Sequence, residues 1–486
     1  IQLVIDMPEG TTLERTAAVT QDIAQYIKTI PEVVNYQSYI GSSAPITFNG
    51  LVRHYDMRGA SNTADIQVNL KHKEDRKLQS HDVAKNIRPA IQKIAAKYGA
   101  NVKVVEVPPG PPVLSTLVAE IYGPDYDEQI KIARQIEQIL HNTDDVVDID
   151  TRIEDEQKEL KLVFDKEKSM LNGVAPMQIV GNMTYLMGEH PIGNLYDERS
   201  NRPVNIVMKL SDADKTSIED ITNMKVKGQM GMVPVSDLVK VQEDVLQKSI
   251  YRKDQQRVVY VMADMAGGLE SPAYAILGMS KKIQKMDIPK GYKVEEMYLG
   301  QPESEENYTV KWDGEWQITL EVFRDLGLAF MVVIVIIYML IVGWFQNFKT
   351  PIVMMMAIPL SLVGIVLGHW LLGAFFTATS FIGMIALAGV MVRNSVLLID
   401  FIEIRLNEGI PLKQAIIEAG AVRTTPILLT TGAVVIGASI ILFDPIFQGL
   451  AISLVFGAIV STLLTLLVVP VIYYITERKK WEPKNK

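Results

Sequence analysis

Arg393 stands near the centre of a largely apolar stretch, residues 381–404, that is long enough to cross a membrane. A helix needs about 20 apolar residues to span the hydrocarbon core of a bilayer. Arginine keeps its charge at any accessible pH, and a charge at this depth persists only where it faces a paired or hydrated interior. Arg393 therefore indicates either a pathway for ions or protons or a structural ion pair between helices.

The helix that would carry Arg393 is one of five apolar runs of nearly spanning length in the last third of the chain. The runs cover residues 326–344, 352–372, 381–404, 426–442 and 450–475. Because a backbone in lipid must satisfy its own hydrogen bonds, we expect all five to be helices. Lysine and arginine lie in the first and third connections and after the fifth run, which is typical of cytoplasmic segments. The sequence therefore predicts a membrane protein with a cytoplasmic C-terminus and with residues 1–325 on the outer side, which in a bacterium is the periplasmic side of the inner membrane.

The composition excludes several kinds of site. The chain has no cysteine, which rules out disulfides and thiolate metal sites. Its six histidines show neither HxxxH nor HExxH spacing, and neither a GxxxxGKS/T motif nor a GxGxxG motif after a strand is present. No nucleophile and base are clustered either, so we predict no catalytic residues and hence no enzyme. From the absence of the other motifs we also predict no metal, no cofactor and no nucleic-acid partner.

The region before the membrane runs alternates strands and helices in repeated strand–helix–strand units. The predicted units are strand 1–7, helix 11–29 and strand 33–39; strand 64–70, helix 80–98 and strand 102–107; strand 114–121, helix 125–140 and strand 146–149; and strand 257–264, helix 271–285 and strand 292–299. A proline-rich stretch at 108–112 marks a stiff boundary. The sequence therefore predicts a mixed membrane protein, in which an α-helical transmembrane bundle follows periplasmic α+β subdomains built as split βαβ sandwiches with an inserted subdomain.

These features divide the chain into consecutive parts. The predicted boundaries are 1–112 for the first αβ subdomain, 113–161 and 251–300 for the two parts of the second, 162–250 for the inserted subdomain, 301–325 for a connecting helix, 326–475 for the membrane helices and 476–486 for a cytoplasmic tail. The chain starts at Ile1 with neither a signal peptide nor a preceding span, although its external region must be exported. We therefore expect it to be part of a longer protein.

Three segments carry a resemblance to a known family. Residues 389–401 read GVMVRNSVLLIDF, residues 419–431 read AGAVRTTPILLTT, and residues 163–174 read VFDKEKSMLNGV. In this order they resemble the inner-membrane permeases of the proton-driven resistance–nodulation–division (RND) efflux pumps, of the multidrug type that exports hydrophobes and amphiphiles. The resemblance covers essentially the whole chain and matches the C-terminal half of such a permease. It implies two porter subdomains, a docking subdomain between them and membrane helices eight to twelve, without the N-terminal half and helix seven.

The resemblance implies roles in a proton relay for four residues. In the family, a lysine of the tenth helix pairs with two aspartates of the fourth, and Arg393 occupies the position of that lysine. Asn394 follows it as in the family pattern, Thr430 matches a relay threonine of the eleventh helix, and Arg423 matches an arginine at the cytoplasmic end of that helix. Because arginine does not change its charge, Arg393 would act as a counter-ion and a geometric switch rather than as a proton carrier.

The loop at 41–50 lies where the family has a glycine-rich switch loop between two drug-binding pockets. The candidates for a substrate path are Tyr36, Tyr39, Phe48 and Tyr55, with Gly41 and Gly50 giving the loop its freedom. Such a path would favour apolar or amphipathic cargo. The alternative is that these aromatic side chains fill the core of the αβ unit.

Function and partners follow from the same resemblance. It implies export from the periplasm and inner membrane by a homotrimer joined to a periplasmic adaptor and an outer-membrane channel, with the N-terminal half of the same permease as a partner. A heavy-metal efflux permease is the first alternative: Met7 could be a soft ligand, whereas the position after the proline stretch where that branch has another methionine is Val113. A protein-secretion motor of related architecture is the second, but it would have six spans in each chain.

Overall fold

The computed structural model describes most of the chain. The described residues are 1–106, 113–188, 190–196, 199–200, 203–268, 270–289, 291–444 and 446–481, without the side chains of Phe48, Asn49, Asp56 and Asp212. The predicted proline-rich boundary at 108–112 lies outside these ranges.

The first αβ unit is a four-stranded antiparallel sheet with helices on one face. Its elements are β1 (Gln2–Asp6), α1 (Leu13–Ile27), β2 (Val33–Ile40), α2 (Phe48–Arg53), β3 (Thr63–Leu70), α3 (Ser80–Ala96) and β4 (Asn101–Val105). The strands lie in the order β2-β3-β1-β4. Leu3 and Ile5 of β1 are fully buried and pack with residues of α1 and α3, because alternate residues of a strand point to the same face.

An inserted segment follows the first three elements of the second unit, which are β5 (Leu117–Tyr122), α4 (Tyr126–His141) and β6 (Val146–Thr151). The insertion contains β7 (Lys158–Phe164), α5 (Lys166–Leu171), α6 (Pro176–Met187), β8 (Pro191–Leu195), β9 (Val204–Val207), α7 (Ile218–Thr222), β10 (Lys225–Lys227), β11 (Met232–Pro234) and β12 (Val239–Val245). Its first and last strands, β7 and β12, pair along their whole length. The insertion is therefore closed at its base and has a small core of its own around Ile179 and Leu238.

The second unit resumes after the insertion. Its remaining elements are β13 (Arg252–Lys253), β14 (Gln256–Arg257), β15 (Val259–Met265), α8 (Pro272–Ile283), β16 (Val294–Met297) and β17 (Tyr308–Gly314). The five-stranded sheet has the order β16-β17-β5-β15-β6 and so joins strands from both sides of the insertion. Ile132 of α4 and Ile276 of α8 lie in the same core beneath it.

The predicted connecting helix at 301–325 is wrong in its first part. Residues Tyr308–Gly314 form β17, which pairs with β5 and β16. Val310 and Trp312 are fully buried in the core of the second unit, so packing in the sheet decides the local structure. Gly314 then takes a φ of +77°, and a Cβ there would lie 2.5 Å from the carbonyl oxygen of Ser115. Glycine therefore permits the strand to turn directly into the first membrane helix.

The last third of the chain forms a bundle of long apolar helices. They are α9 (Glu315–Phe345), α10 (Thr350–Met355), α11 (Ala357–Leu372), α12 (Ala378–Asn407), α13 (Leu412–Ser439) and α14 (Gln448–Trp481). By length and composition they supply five candidate membrane spans in the described chain, with α10 and α11 together forming the second. The prediction of five spans is confirmed. The fourth helix begins well before the predicted residue 426, because Pro426 lies inside it.

The helices approach closely where small residues lie between them. A Cβ at Gly364 of α11 would lie 2.5 Å from the carbonyl oxygen of Phe456 in α14. A Cβ at Gly457 would lie 2.3 Å from Leu387 Cδ2 in α12. Glycine thus allows α14 to pack against both neighbours, which is the usual way in which membrane helices gain contact. The helix α9 is different, since only 6% of its most apolar segment is buried against other described residues.

Candidate functional site

The helix α12 carries Arg393 on a face that the other described helices leave open. Ala386, Gly389 and Arg393 are all exposed, and their spacing of three and four residues places them on one stripe. Asp400, seven residues beyond Arg393, lies on the same stripe and is partly exposed. Charged residues are costly against lipid, and small residues permit close helix contact. This face has the composition of a protein-facing surface.

Arg393 itself has no partner in the part of the chain that the structure describes. Its guanidinium forms neither a hydrogen bond nor an ion pair there. Asn394, the next residue, lies on the packed side of the helix and is fully buried, and both polar atoms of its amide are without a hydrogen-bond partner among the described residues. Successive residues of a helix lie about 100° apart, so the two predicted relay residues face different surroundings.

The threonine predicted for the relay bonds within its own helix. The Thr430 hydroxyl donates to the carbonyl oxygen of Ile427 at 2.9 Å, which is the ordinary alternative for threonine in a membrane helix. The next residue, Thr431, crosses to another helix: its hydroxyl lies 3.0 Å from that of Thr462 in α14, and both side chains are buried. The sequence pattern gave no reason to single out Thr431 over Thr430.

Arg423 lies at the level of Phe401 and Arg405, near the end of α12, rather than beside Arg393. Its guanidinium carbon is 4.9 Å from the centre of the Phe401 ring, and Arg405 contacts the same ring at 5.4 Å. Arg405 is also paired with Glu408 at 2.7 Å and with Glu418 at 3.3 Å. Phe401 is eight residues from Arg393, or about 12 Å along the helix. The four predicted relay residues are therefore not assembled into one contact network in this chain.

The residues predicted for a substrate path also separate. Tyr36 packs against the core of the first unit, and the Tyr39 hydroxyl donates to Gln37 at 2.8 Å. Gly41 has a φ of +72° and abuts Leu13, while the N–H of Gly50 donates to the Thr47 hydroxyl at 3.1 Å. The side chain of Phe48 lies outside the described part, although α2 begins at that residue.

A cavity of about 380 Å³ lies where the two αβ units meet. Its lining mixes apolar and charged groups: Asp6, Arg53, His54, Tyr55, Met57, Arg58, Leu114, Arg152, Tyr251 and Met262. Among the predicted aromatic residues whose side chains are described, Tyr55 lies in this wall and Tyr36 and Tyr39 do not; burial raises the pKa of Tyr55. Arg152 lies over the rings of Tyr251 and Tyr260, at 5.7 and 5.8 Å, and donates to the carbonyl oxygen of Arg53. It thereby holds the end of α2 against the second unit.

Buried ion pairs join the two units, and the sequence-based predictions missed them. Arg53 pairs with Asp264 at 2.8 Å, and Asp264 also accepts from the N–H of Thr116 at 2.9 Å. Although burial would raise the pKa of Asp264, Arg53 and these hydrogen bonds hold it below its ordinary value. Lys103 bridges Asp6 of the first sheet and Asp150 of the second, at 2.5 and 2.6 Å. The available signal was the presence of single charges within otherwise apolar strands.

Comparisons with known proteins place this arrangement in a family. The model of the AcrB/AcrD/AcrF family matches residues 1–477. The chain is 28% identical over 363 residues to the swarming motility protein SwrC of Bacillus subtilis, which covers 73% of this chain and 32% of that protein. It is 24% identical over 383 residues to the nickel and cobalt resistance protein CnrA of Cupriavidus metallidurans, which covers 76% of this chain and 34% of that protein.

The fold agrees with a solved structure. A crystal structure of a heavy metal efflux pump superposes with a TM-score of 0.77 at 19% sequence identity, and the match covers 98% of this chain and 46% of that one. The chain thus spans about a third of the length of the two curated relatives. The resemblance carried by the membrane motifs is confirmed: the chain belongs to the AcrB/AcrD/AcrF family of RND permeases.

Proposed function

We propose that the chain is the C-terminal half of a proton-driven efflux permease. The observation that carries the proposal is the open stripe of α12, on which Arg393 has no partner among the described residues. A guanidinium at the middle of a membrane span is stable only beside a polar or charged group. A second set of helices that brings carboxylates to Arg393 would meet this requirement, and the family membership supports such a second half.

In this proposal Arg393 is a fixed counter-ion. It would hold a pair of carboxylates of the N-terminal half in the ionised form, and a proton that arrives would weaken that attraction. Asn394 and Thr430 would respond to the resulting movement of α12 and α13, and Arg423 would stabilise the cytoplasmic end. Because Arg393 stays charged, the coupling would be a change in contacts rather than a proton transfer by arginine itself.

The external units would carry the cargo and the assembly contacts. The two αβ units correspond to porter subdomains, and residues 162–250 correspond to a docking subdomain of a trimer that meets an adaptor and an outer-membrane channel. The hairpin of β8 and β9 supports this role, since Ile192, Leu195 and Ile206 are all about half exposed. Exposed apolar side chains in a group are typical of protein contact surfaces.

For the cargo we propose an apolar or amphipathic compound, with a metal cation as the alternative. The wall of the cavity between the units combines Tyr55, Tyr251 and Met262 with charged groups, which suits an amphipathic molecule. Met7, the candidate soft ligand, is 4% exposed and packs in the core of the first unit. The names of the relative CnrA and of the solved metal pump favour the alternative, so the choice requires a direct test.

The test is export by cells that carry the full-length permease. We expect cells to extrude a lipophilic cationic dye, and a protonophore should abolish extrusion because the proton gradient drives it. The same cells grown in nickel, cobalt or zinc should show no gain in tolerance. Metal tolerance without dye extrusion would replace the proposed cargo by the alternative. The absence of both dye extrusion and metal tolerance in cells that express the permease normally would contradict the efflux proposal.

A further inference from the structure

A second cavity, of about 720 Å³, lies between the two units at the end from which the membrane helices begin. Thr116, Asp264 and Glu315 contribute to its wall from the second unit, and Glu315 is the first residue of α9. The first unit contributes Arg88 of α3 and the segment that leads into that helix. This cavity therefore lies at the end of the two units from which α9 leads into the membrane bundle.

The acidic residues in its wall are largely engaged by neighbours. Asp264 is paired with Arg53 at 2.8 Å, and Glu270 is paired with Lys85 at 2.7 Å and with His81 at 2.9 Å. Glu106 contacts the other nitrogen of the His81 ring at 3.1 Å.

Three cations in the wall lack such pairing. Lys73, Arg76 and Lys77 line the cavity and form no ion pair within the described ranges of the chain. Glu315, which is exposed, is the remaining acidic group of the wall. The unpaired charge of the cavity is therefore predominantly positive.

Three guanidinium groups in this wall have spare donors: Arg53, whose buried Nε lacks an acceptor among the described residues, and Arg76 and Arg88. Arg88 is 8% exposed and binds Asp148 through Nε at 3.3 Å and Nη2 at 2.9 Å. Its buried Nη1 has no acceptor among the described residues. Arg76 donates from Nη1 to the carbonyl oxygen of Leu78 at 2.8 Å, and its buried Nε likewise has no acceptor there. A buried donor without an acceptor costs roughly 1–3 kcal/mol, and more when it is charged.

We propose that this cavity binds a phosphate group, held by Arg76 and Arg88 with Lys73 and Lys77 at the rim. Guanidinium groups form strong paired hydrogen bonds with phosphate oxygens, and lysine adds compact positive charge. The cavity volume is that of a site for a small organic molecule, so the phosphate would belong to a larger compound. Its source is either the headgroup of an anionic phospholipid, which α9 would bring within reach, or a free phosphorylated compound. The site is independent of the proposed efflux function.

The experiment measures phosphate binding by the purified protein in lipid nanodiscs. Equilibrium dialysis with radiolabelled inorganic phosphate would compare the wild type with Arg76→Gln. Arg76 lies in a loop and its guanidinium bonds only to a nearby carbonyl, so this change leaves the ion pairs between the units intact. Arg252→Gln is the matched control, because the Arg252 guanidinium also donates to a nearby carbonyl, that of Gln255 at 3.1 Å, but Arg252 does not line the cavity.

We expect Arg76→Gln to weaken phosphate binding on the order of tenfold, the change that about 1.4 kcal/mol produces, and Arg252→Gln to leave it unchanged. Nanodiscs of phosphatidylcholine and of phosphatidylglycerol distinguish the sources. Displacement of phosphate by phosphatidylglycerol would identify a lipid headgroup, and equal phosphate binding in both would identify a free anion. The proposal would be overturned if the wild type and Arg76→Gln bound phosphate with equal affinity. It would also be overturned if the protein neither bound phosphate nor selectively retained phosphatidylglycerol.

Discussion

Single charged residues inside apolar strands define how the two αβ units meet. The side chain of Lys103 in β4 is 5% exposed, and its Nζ bridges Asp6 and Asp150. Burial alone would lower the pKa of Lys103, but these two carboxylates raise it above its ordinary value. The lysine therefore stays charged and ties the edge of one sheet to the other. A charge inside an edge strand also prevents unwanted pairing with another chain.

Replacing Lys103 by methionine should destabilise the external region by roughly 3 kcal/mol, the lower end of the cost of breaking a buried ion pair. The reason is that Asp6 and Asp150 would lose a shared cation. Lys161→Met is the control, since Lys161 pairs with Asp244 at 2.5 Å on the surface, where water screens such pairs and they contribute little to stability. Denaturant unfolding followed by tryptophan fluorescence measures both. Equal losses in the two variants would mean that Lys103 does not link the units.

His81 should make the contact between the units depend on pH. Burial lowers the pKa of His81, but the neighbouring carboxylates Glu270 and Glu106 raise it by more, so the net shift of the His81 pKa is upward. The pKa of Glu270 is lowered in turn. The raised pKa means that the stabilisation by His81 is complete below the pKa of an unfolded histidine, about 6.5, and is lost as pH rises through the folded value. The contribution of Glu270 is present above the pKa of an unfolded glutamate, about 4.3, and is lost as pH falls through its lowered folded value.

The expected consequence is that His81→Gln removes part of the loss of stability that occurs as the pH rises from about 6.5 through the raised folded pKa of His81. The effect should stay below about 1 kcal/mol, because the His81 side chain is 41% exposed and the pair is screened by water. Unfolding at several pH values measures it. His72→Gln, a change at an exposed loop histidine, should leave the pH profile intact. An unchanged profile in His81→Gln would show that other groups set the pH dependence.

At the scale of elements, local patterns predicted most helices and strands, and long-range contacts decided the rest. The five apolar runs were recognisable because a segment that crosses lipid must satisfy its own backbone hydrogen bonds, which an apolar helix does. The strand Tyr308–Gly314 was not recognisable, since its place is fixed by pairing with β5, almost 200 residues earlier in the sequence. The crossing of α11 and α14 was equally hidden, because it depends on which glycines face each other.

Gly364→Ala should destabilise the membrane bundle by about 1–3 kcal/mol, the usual cost of overpacking. The new methyl group would lie 2.5 Å from the backbone oxygen of Phe456, and a backbone cannot yield as a flexible side chain does. Gly437→Ala in α13 is the control, because a Cβ there meets nothing within 4 Å. Thermal unfolding in detergent, followed by helical circular dichroism, compares the two. A Gly364→Ala protein as stable as the control would show that α14 shifts at little cost.

At the scale of the whole molecule, the chain matches about a third of the length of two longer relatives. Family membership could be inferred from the motifs around Arg393 and Arg423, and the comparisons confirm it. The arrangement of a relay could not be tested in the same way, because Arg393 faces away from the described helices while Asn394 is buried. The ion pairs of Arg53, Lys103 and Arg88 could not be assigned from the sequence, although isolated charges were visible in apolar strands, since Asp264, Asp150 and Asp148 come from the other unit.

Proton-coupled transport by the full-length permease in proteoliposomes tests the central claim most directly. Substrate movement and the internal pH would be recorded together in wild type and in Arg393→Met, which keeps the volume of the side chain but removes its charge. The account predicts that the wild type exchanges substrate for protons, and that the variant inserts and assembles equally well but loses most of the coupled flux. A variant that still exchanges substrate for protons at the wild-type rate would contradict the assignment of Arg393 to the coupling site.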